Sequence, residues 1–213
     1  MRYDFKKHTL EESLVVSETG AVRDVPSQLF TKWYTQAVKI LGEDASAMML
    51  ATNTRKNPSA RTVYLRGFNK KGYSFYTNYN SRKANDLKQN PNACLLFFWR
   101  ELQRQVKIEG KVEKLSAKES DNYFASRPRN SQIGAWASPQ STLIPNREAL
   151  NEWVKAFTKT FEGKKIPRPV HWGGYRLIPS YFEFWQGRES RLHDRIVFTK
   201  QKNGKWKMGR LAP

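Results

Sequence analysis

Between residues 182 and 195 the chain reads Phe182-Glu183-Phe184-Trp185-Gln186-Gly187-Arg188-Glu189-Ser190-Arg191-Leu192-His193-Asp194-Arg195. Aromatic rings, arginines, an imidazole and carboxylates crowd one short run. Charges of this density are not buried unpaired, so an anionic or aromatic ligand is expected against them. Read as a strand, the segment puts Arg191, His193 and Arg195 on one face, where flanking cations favour a neutral imidazole. His8 and His171 lack such company, and no spacing suits a metal. No nearby side chain completes a nucleophilic triad with His193.

Three further groups could do chemistry. In Arg61-Thr62-Val63-Tyr64-Leu65-Arg66 a strand would place Arg61, Val63 and Leu65 on one face and Thr62, Tyr64 and Arg66 on the other. A charged barrel rim explains that run equally well. Tyr76-Thr77 and Ser81-Arg82-Lys83 follow, with two cations in the first turn of a predicted helix, where the macrodipole disfavours them. A phosphate held between the helix N-terminus and these side chains would remove the misfit, and a solvated helix face is the alternative. Tyr123 and Arg127 are four residues apart on a helix, with Ser131 in the turn after Pro128. A phenol, a guanidinium and a hydroxyl converging there would make a second phosphate site. Gln105, Gln140 and Ser141 are polar positions of low specificity by themselves.

The elements that must position these groups follow from periodicity. Residues 1–25 have no clear period and read as an arm. Pro26 opens a helix whose apolar face is Leu29, Phe30, Trp33, Tyr34, Ala37, Val38 and Leu41, ended by Gly42. Strands are expected over 47–53, 61–68, 72–78, 94–99 and 104–114, the last alternating Val106, Ile108, Gly110 and Val112 with Lys107, Glu109, Lys111 and Glu113. Ser81 is read as the N-cap of a helix running to Asn90, before Pro91. Ser116-Ala117-Lys118-Glu119 is a capping box for a helix reaching Arg127, and Asn146 caps another ending near Gly163. Strands return at 172–178, 181–186, 191–199 and 205–210. Short strands without regular strand–helix alternation predict a mainly β protein, an antiparallel barrel with flanking helices, as one domain over 26–213.

Composition sets the outer bounds. The hydrophobic fraction of 38% and aromatic fraction of 13% suffice for a core. One cysteine, Cys94, excludes an intrachain disulfide and a cysteine metal cluster, and its apolar neighbours suggest a buried small hydrophobe. No apolar run approaches a membrane span, and residues 1–12 lack the apolar centre of a signal peptide, so a reducing cytoplasm is the expected location. Lys and Arg number 38 against 19 Asp and Glu, a net +19. That balance is compatible with a basic nucleic-acid-binding barrel, but the cations are dispersed and no groove-reading motif is present. Nucleic acid is therefore not the expected partner.

The run Glu183-Phe184-Trp185-Gln186, a gap, then Arg191-Leu192-His193-Asp194-Arg195 resembles the C-terminal signature of the pyridoxine (pyridoxamine) 5′-phosphate oxidases. The likeness extends from about the first helix to the ending Leu211-Ala212-Pro213. It implies an FMN-binding split β-barrel working as a homodimer with the flavins at the interface. The implied reaction oxidises pyridoxine 5′-phosphate or pyridoxamine 5′-phosphate to pyridoxal 5′-phosphate, with oxygen as acceptor and hydrogen peroxide as product. By motif match the resemblance assigns Arg61, Thr62, Val63, Tyr64, Leu65, Arg66, Tyr76, Thr77, Arg82, Lys83, Gln105, Gln140, Ser141, Trp185 and Arg195 to FMN. It assigns Tyr123, Arg127, Ser131 and Arg66 to the substrate phosphate. Arg191, Leu192 and His193 fall over the substrate ring, with Arg191 and His193 catalytic and no metal. Residues 2–5 match a substrate-covering arm. The family usually has lysine where this chain has Arg66, a change from a point charge to a bidentate fork. A flavin-binding split barrel acting on another substrate is the nearest rival; it would not need Tyr123, Arg127, Ser131, Arg191 and His193.

Overall fold

A computed structural model describes residues 25–54 and 57–213. The arm expected over 1–25 lies outside the described residues, apart from Val25, and so does the match at residues 2–5. Helix α1, Val25–Leu41, buries Leu29, Phe30, Trp33 and Ala37 of the face its period specified, with Tyr34 and Leu41 half-buried at its margin, while Val38 of that face is exposed. Phe30 meets Tyr73, Phe97 and Phe68 edge-on, with centroids 4.9, 5.2 and 5.1 Å away. This helix therefore packs into the sheet and is not a surface decoration.

Strands β1 (Ala47–Asn53), β2 (Pro58–Tyr64), β3 (Gly67–Asn69) and β4 (Gly72–Asn78) follow. The single strand expected over 61–68 is in fact two. Leu65 and Arg66 leave the β1 ladder, where Leu65 N–H donates to Ser46 O at 2.8 Å and Arg66 N–H to Ser74 O at 2.9 Å. Helix α2, Arg82–Gln89, leads to β5 (Asn92–Trp99) and β6 (Arg104–Lys114). Ser81 stands at the N-cap of α2 without a capping hydrogen bond; its hydroxyl donates to Asn78 O at 2.7 Å and accepts from Lys83 Nζ at 3.3 Å. Helix α3, Ala117–Ser126, has the full capping box of Ser116 and Glu119. Helix α4, Arg129–Ala137, occupies the segment read as a turn, and α5, Arg147–Thr160, is capped by Asn146.

The strands expected over 172–178 and 181–186 are one, β7, Trp172–Gln186. Its first half pairs with β4 and its second half with β8 (Asp194–Lys200), while β6 runs along both with a register shift at Glu109/Gly110. The sheet splits at that point. Strand β9, Trp206–Leu211, pairs with β8. The sheet order is β2-β1-β5-β6-β7-β4-β3. Its two end strands, β2 and β3, are separated in sequence only by Leu65 and Arg66, so the sheet must curl until its ends meet. The inward face holds Leu95, Phe97, Val106, Ile108, Phe182 and Phe184, each fully buried. A smaller cluster of Phe124, Ile133, Ile166 and Trp172 fastens α3 and α4 to the start of β7.

Candidate functional site

A cavity of about 620 Å³ opens between β2, β4 and the α3–α4 corner. It is lined by Arg61, Thr62, Val63, Tyr64, Arg66, Tyr76, Thr77, Lys83, Tyr123, Arg127, Ser131 and Gln140, all singled out in the sequence. Arg61 to Tyr64 reach it from an edge strand. Tyr76 and Thr77 lie at the far end of β4, and Lys83 on the first turn of α2.

Lys83 is 9% exposed. Its Nζ donates to Thr77 Oγ1 at 3.1 Å, Ser81 Oγ at 3.3 Å and Gln140 Oε1 at 3.0 Å, all neutral. Burial, aided by the Arg61 guanidinium, lowers its pKa to about 8, while Asp86 opposes the shift. Arg61 is held from behind: Nη1 donates to Leu50 O at 3.0 Å and Thr52 Oγ1 at 2.8 Å, and Nη2 donates to Ser59 Oγ and, at 3.4 Å, to Asp86 Oδ2.

Arg127, the C-cap of α3, lies over the Trp172 ring at 4.6 Å. Its Nη1 is buried with no hydrogen-bond partner, and burial lowers its pKa. Tyr76 and Tyr123 stack at 3.8 Å and 18°, with Trp172 stacked 5.5 Å from Tyr76. Burial, then the neighbouring Tyr123, raises the Tyr76 phenol. A charged group buried without a counter-ion or partner is costly. Lys83 touches only neutral partners and Arg127 has a buried Nη1 with none, so at two places in one cavity the donor chemistry fits an anionic group.

Other expected residues stand apart from this cavity. Leu65 turns into the core at 4% exposure, and Arg82 and Ser141 are exposed. Gln105, Trp185, Arg191, Leu192, His193 and Arg195 gather at the opposite end of β7. Gln105, Trp185 and Arg195 are register partners across β6, β7 and β8 and so share one sheet face. Within this fifteen-residue strand, a rise of about 3.3 Å per residue puts Trp172 and Trp185 roughly 40 Å apart along the chain.

The strand expected from residue 191 begins only at Asp194. Ser190 and Arg191 have φ of 56° and 62° within a short 3-10 turn over Glu189–Arg191, so the shared face of Arg191, His193 and Arg195 does not form. Arg188 N–H donates to His193 Nδ1 at 3.1 Å, which puts the proton of a neutral ring on Nε2. The His193 ring sits 4.7 Å from Trp185. Arg195 Nε and Nη2 both donate to Glu183 Oε1, at 2.8 and 2.7 Å, and Lys107 Nζ lies 3.2 Å from Oε2. Burial raises the Glu183 carboxyl, but these hydrogen bonds and charges outweigh it and hold the pKa low.

Glu43, Ser126, Pro128 and Trp172 also line the cavity and were not foreseen. For Trp172 the sequence carried a signal in Gly173-Gly174. A Cβ on Gly174 would stand 2.5 Å from Leu115 Cδ1 and 2.7 Å from Tyr76 Cε1, so the glycine lets both the leucine and the Tyr76 ring that stacks on Trp172 pack close.

A curled sheet with a basic cavity beside its β2–β4 edge is the architecture of the split-barrel proteins. PhzG from Burkholderia lata, solved with tetrahydrophenazine-1-carboxylic acid, superposes with a TM-score of 0.83 at 31% identity, over 88% of this chain and 92% of that one. A pyridoxamine 5′-phosphate oxidase-related, FMN-binding protein from Nostoc punctiforme has the same fold, with a TM-score of 0.71 at 17% identity over 88% and 98% of the two chains. Residues 34–158 match the family model described as pyridoxamine 5′-phosphate oxidase, and residues 172–213 match the pyridoxine 5′-phosphate oxidase C-terminal dimerisation region. The pyridoxine/pyridoxamine 5′-phosphate oxidase of Trichormus variabilis is 49% identical over 98% of this chain and 96% of its own. That of Polynucleobacter asymbioticus is 56% identical over 88% and 89%. The chain belongs to the pyridoxine/pyridoxamine 5′-phosphate oxidase family.

Proposed function

We propose that this protein is an FMN-dependent oxidase, a homodimer of one split-barrel domain per chain. It converts pyridoxine 5′-phosphate and pyridoxamine 5′-phosphate to pyridoxal 5′-phosphate. The observation that carries the reading is the pair of buried cations, Lys83 among neutral oxygens and Arg127 with its unpartnered Nη1, in one cavity. Cofactor and substrate each bring one phosphate. Lys83, Thr77, Gln140 and Arg61 would hold that of FMN, and Arg127, Tyr123 and Ser131, with Arg66, that of the substrate.

Two anchored phosphates fix both ligands far from the reacting carbon, which converts binding energy into orientation. FMN, when bound, supplies the two-electron redox chemistry. The alcohol substrate gives up two electrons and two protons to become the aldehyde, and oxygen takes both to leave as hydrogen peroxide. The amine substrate also consumes a water and releases ammonia.

Gln105, Trp185, Arg191, Leu192, His193 and Arg195 would reach the cavity from a second copy. The sheet face of Gln105, Trp185 and Arg195 also carries Met49 and Phe98, 46% and 56% exposed, and Trp185 and residues 191–195 lie in the segment matching the dimerisation region. The guanidinium of Arg191 would pin the substrate ring, and the His193 Nε2–H would donate to a ring substituent. The cytoplasm is the proposed location, on the argument of a single thiol and no disulfide.

The test is the visible spectrum of FMN-loaded protein, recorded without oxygen before and after addition of pyridoxine 5′-phosphate. Bleaching that air reverses, with pyridoxal 5′-phosphate formed, is the expected result. An unchanged flavin band with both phosphorylated substrates would refute the substrate assignment, and no FMN uptake would refute the flavin.

A further inference from the structure

Asp86 is 5% exposed and lies outside the cavity lining, one turn beyond Lys83 on the buried face of α2. Its Oδ2 accepts from Thr52 Oγ1 at 2.7 Å and pairs with Arg61 Nη2 at 3.4 Å. Thr52 Oγ1 in turn accepts from Arg61 Nη1 at 2.8 Å, so the three side chains close a triangle behind the cavity wall. With Leu50 O and Ser59 Oγ as the other acceptors, both terminal nitrogens of Arg61 have two partners each. A guanidinium has five N–H groups. Only Nε–H is left, so Arg61 offers a ligand fixed charge and one donor, not a two-pronged fork.

We propose that Asp86 is a positioning residue of this cavity: from behind its wall the carboxylate anchors Arg61 against β1 and balances Arg61 and Lys83, so that both stay charged and aimed before an anion arrives. Without it, a half-buried and a buried cation on adjoining elements would face one another with neutral oxygens as their only partners. The charged groups bearing on Lys83 are Arg61 from β2 and Asp86 from its own helix, with Arg82 acting on Arg61. Thr77, Ser81 and Gln140 are neutral. Burial and Arg61 lower the Lys83 ammonium, and Asp86 works against them. Any carboxylate this near would move that titration, so a role confined to the fold is told apart by FMN affinity, whose pH profile it would leave unmoved.

The inference rests on the flavin reading for the identity of the ligand, though not for the geometry, so the test has two readouts. One is the titration of Lys83 in flavin-free protein labelled with 13C-lysine, its signal assigned by loss in Lys83→Met. The other is the FMN dissociation constant across the same pH range, from quenching of flavin fluorescence. In Asp86→Asn the Lys83 titration moves below the wild-type value of about 8. A shift of about one unit leaves roughly a tenth of the ammonium charged at that pH where wild type keeps about half, so FMN affinity there drops about fivefold further from its acid-side value. Asp86→Glu, which keeps the charge, restores the wild-type profile. Coincident titrations in Asp86→Asn and wild type overturn the proposal, as does a titration that moves while the FMN profile does not. Should Asp86→Asn fail to fold, Arg61→Gln serves instead. It should move the Lys83 titration upward, and an unmoved titration overturns the charge balance. Failure of wild type to bind FMN would refute the flavin reading, while the lysine titration would still decide the role of Asp86.

Discussion

The separation of the site residues makes a quantitative prediction about mixed dimers. Arg127 lines the cavity, whereas Arg191 lies on the turn between β7 and β8, at the other end of a fifteen-residue strand. In a two-fold dimer each site would combine the cavity of one copy with the C-terminal segment of the other. Arg127→Ala and Arg191→Ala homodimers then carry their lesion in both sites. A mixed dimer carries both lesions in one site and none in the other. Random pairing of equal amounts makes about half the dimers mixed, so about a quarter of all sites are intact. The purified mixed dimer, isolated with two affinity tags, should show about half the wild-type kcat per dimer at an unchanged KM. The assay is pyridoxal 5′-phosphate formation at saturating pyridoxine 5′-phosphate. Arg127→Ala paired with Lys83→Ala is the control: both lesions lie in cavities, no site is intact, and nothing should be recovered. A mixed Arg127/Arg191 dimer no more active than its parents would refute the two-copy site.

Three further outcomes follow from the packing and electrostatics. Phe30→Ala removes a fully buried ring that four aromatic side chains touch edge-on or stacked, and should cost about 3–5 kcal/mol in urea unfolding. Cys94, whose thiol burial pushes up to about 11, should resist alkylation at neutral pH in the native protein and react once unfolded. Lys83 has a folded pKa of about 8 against 10.5 for the free side chain. The unfolded chain therefore binds more protons between those values, so stability of the flavin-free protein should rise with pH through that window. Lys83→Met should lose that part of the rise in thermal melts across the same range.

Local rules made much of this architecture legible. The alternation of β6, the apolar face of α1 and the Ser116–Glu119 capping box each depend on residues close in sequence, and each is where the pattern put it. The errors arose where tertiary contacts decide. Nothing local marks Leu65-Arg66 as a break, because the break exists to let the curled sheet close through Ser46 and Ser74. Pro128 reads as a stop, yet it also starts α4, whose Gly134 and polar first turn obscure the period that buries Ile133 and Ala137. The left-handed backbone at Ser190 and Arg191 has no glycine to announce it. The cavity half of the site was legible because its residues sit in short, ordered runs. In the proposed two-copy site the other half would depend on where a second chain lies, and a single sequence does not encode that in its spacing.

That division has a thermodynamic consequence. A ligand gripped by the cavity of one copy and the C-terminal segment of another must stabilise the dimer by as much as the dimer tightens the ligand. In the proposed dimer the exposed face around Met49 and Phe98 would give association an apolar component that needs no ligand, while Arg195, tied to Glu183, lies beside it with its charge already balanced. Arg127 is not balanced in that way, and Lys83 touches only neutral oxygens, with the Asp86 carboxylate set back behind the wall. Their unmet demand is local to each cavity, so an anion entering there relieves it whether or not the second copy is seated. Phosphate affinity should therefore be a property of the single chain, and ring orientation a property of the pair. On that reasoning, Arg195→Ala weakens FMN binding only in so far as the flavin ring loses its hold, whereas Lys83→Met removes the anchor itself.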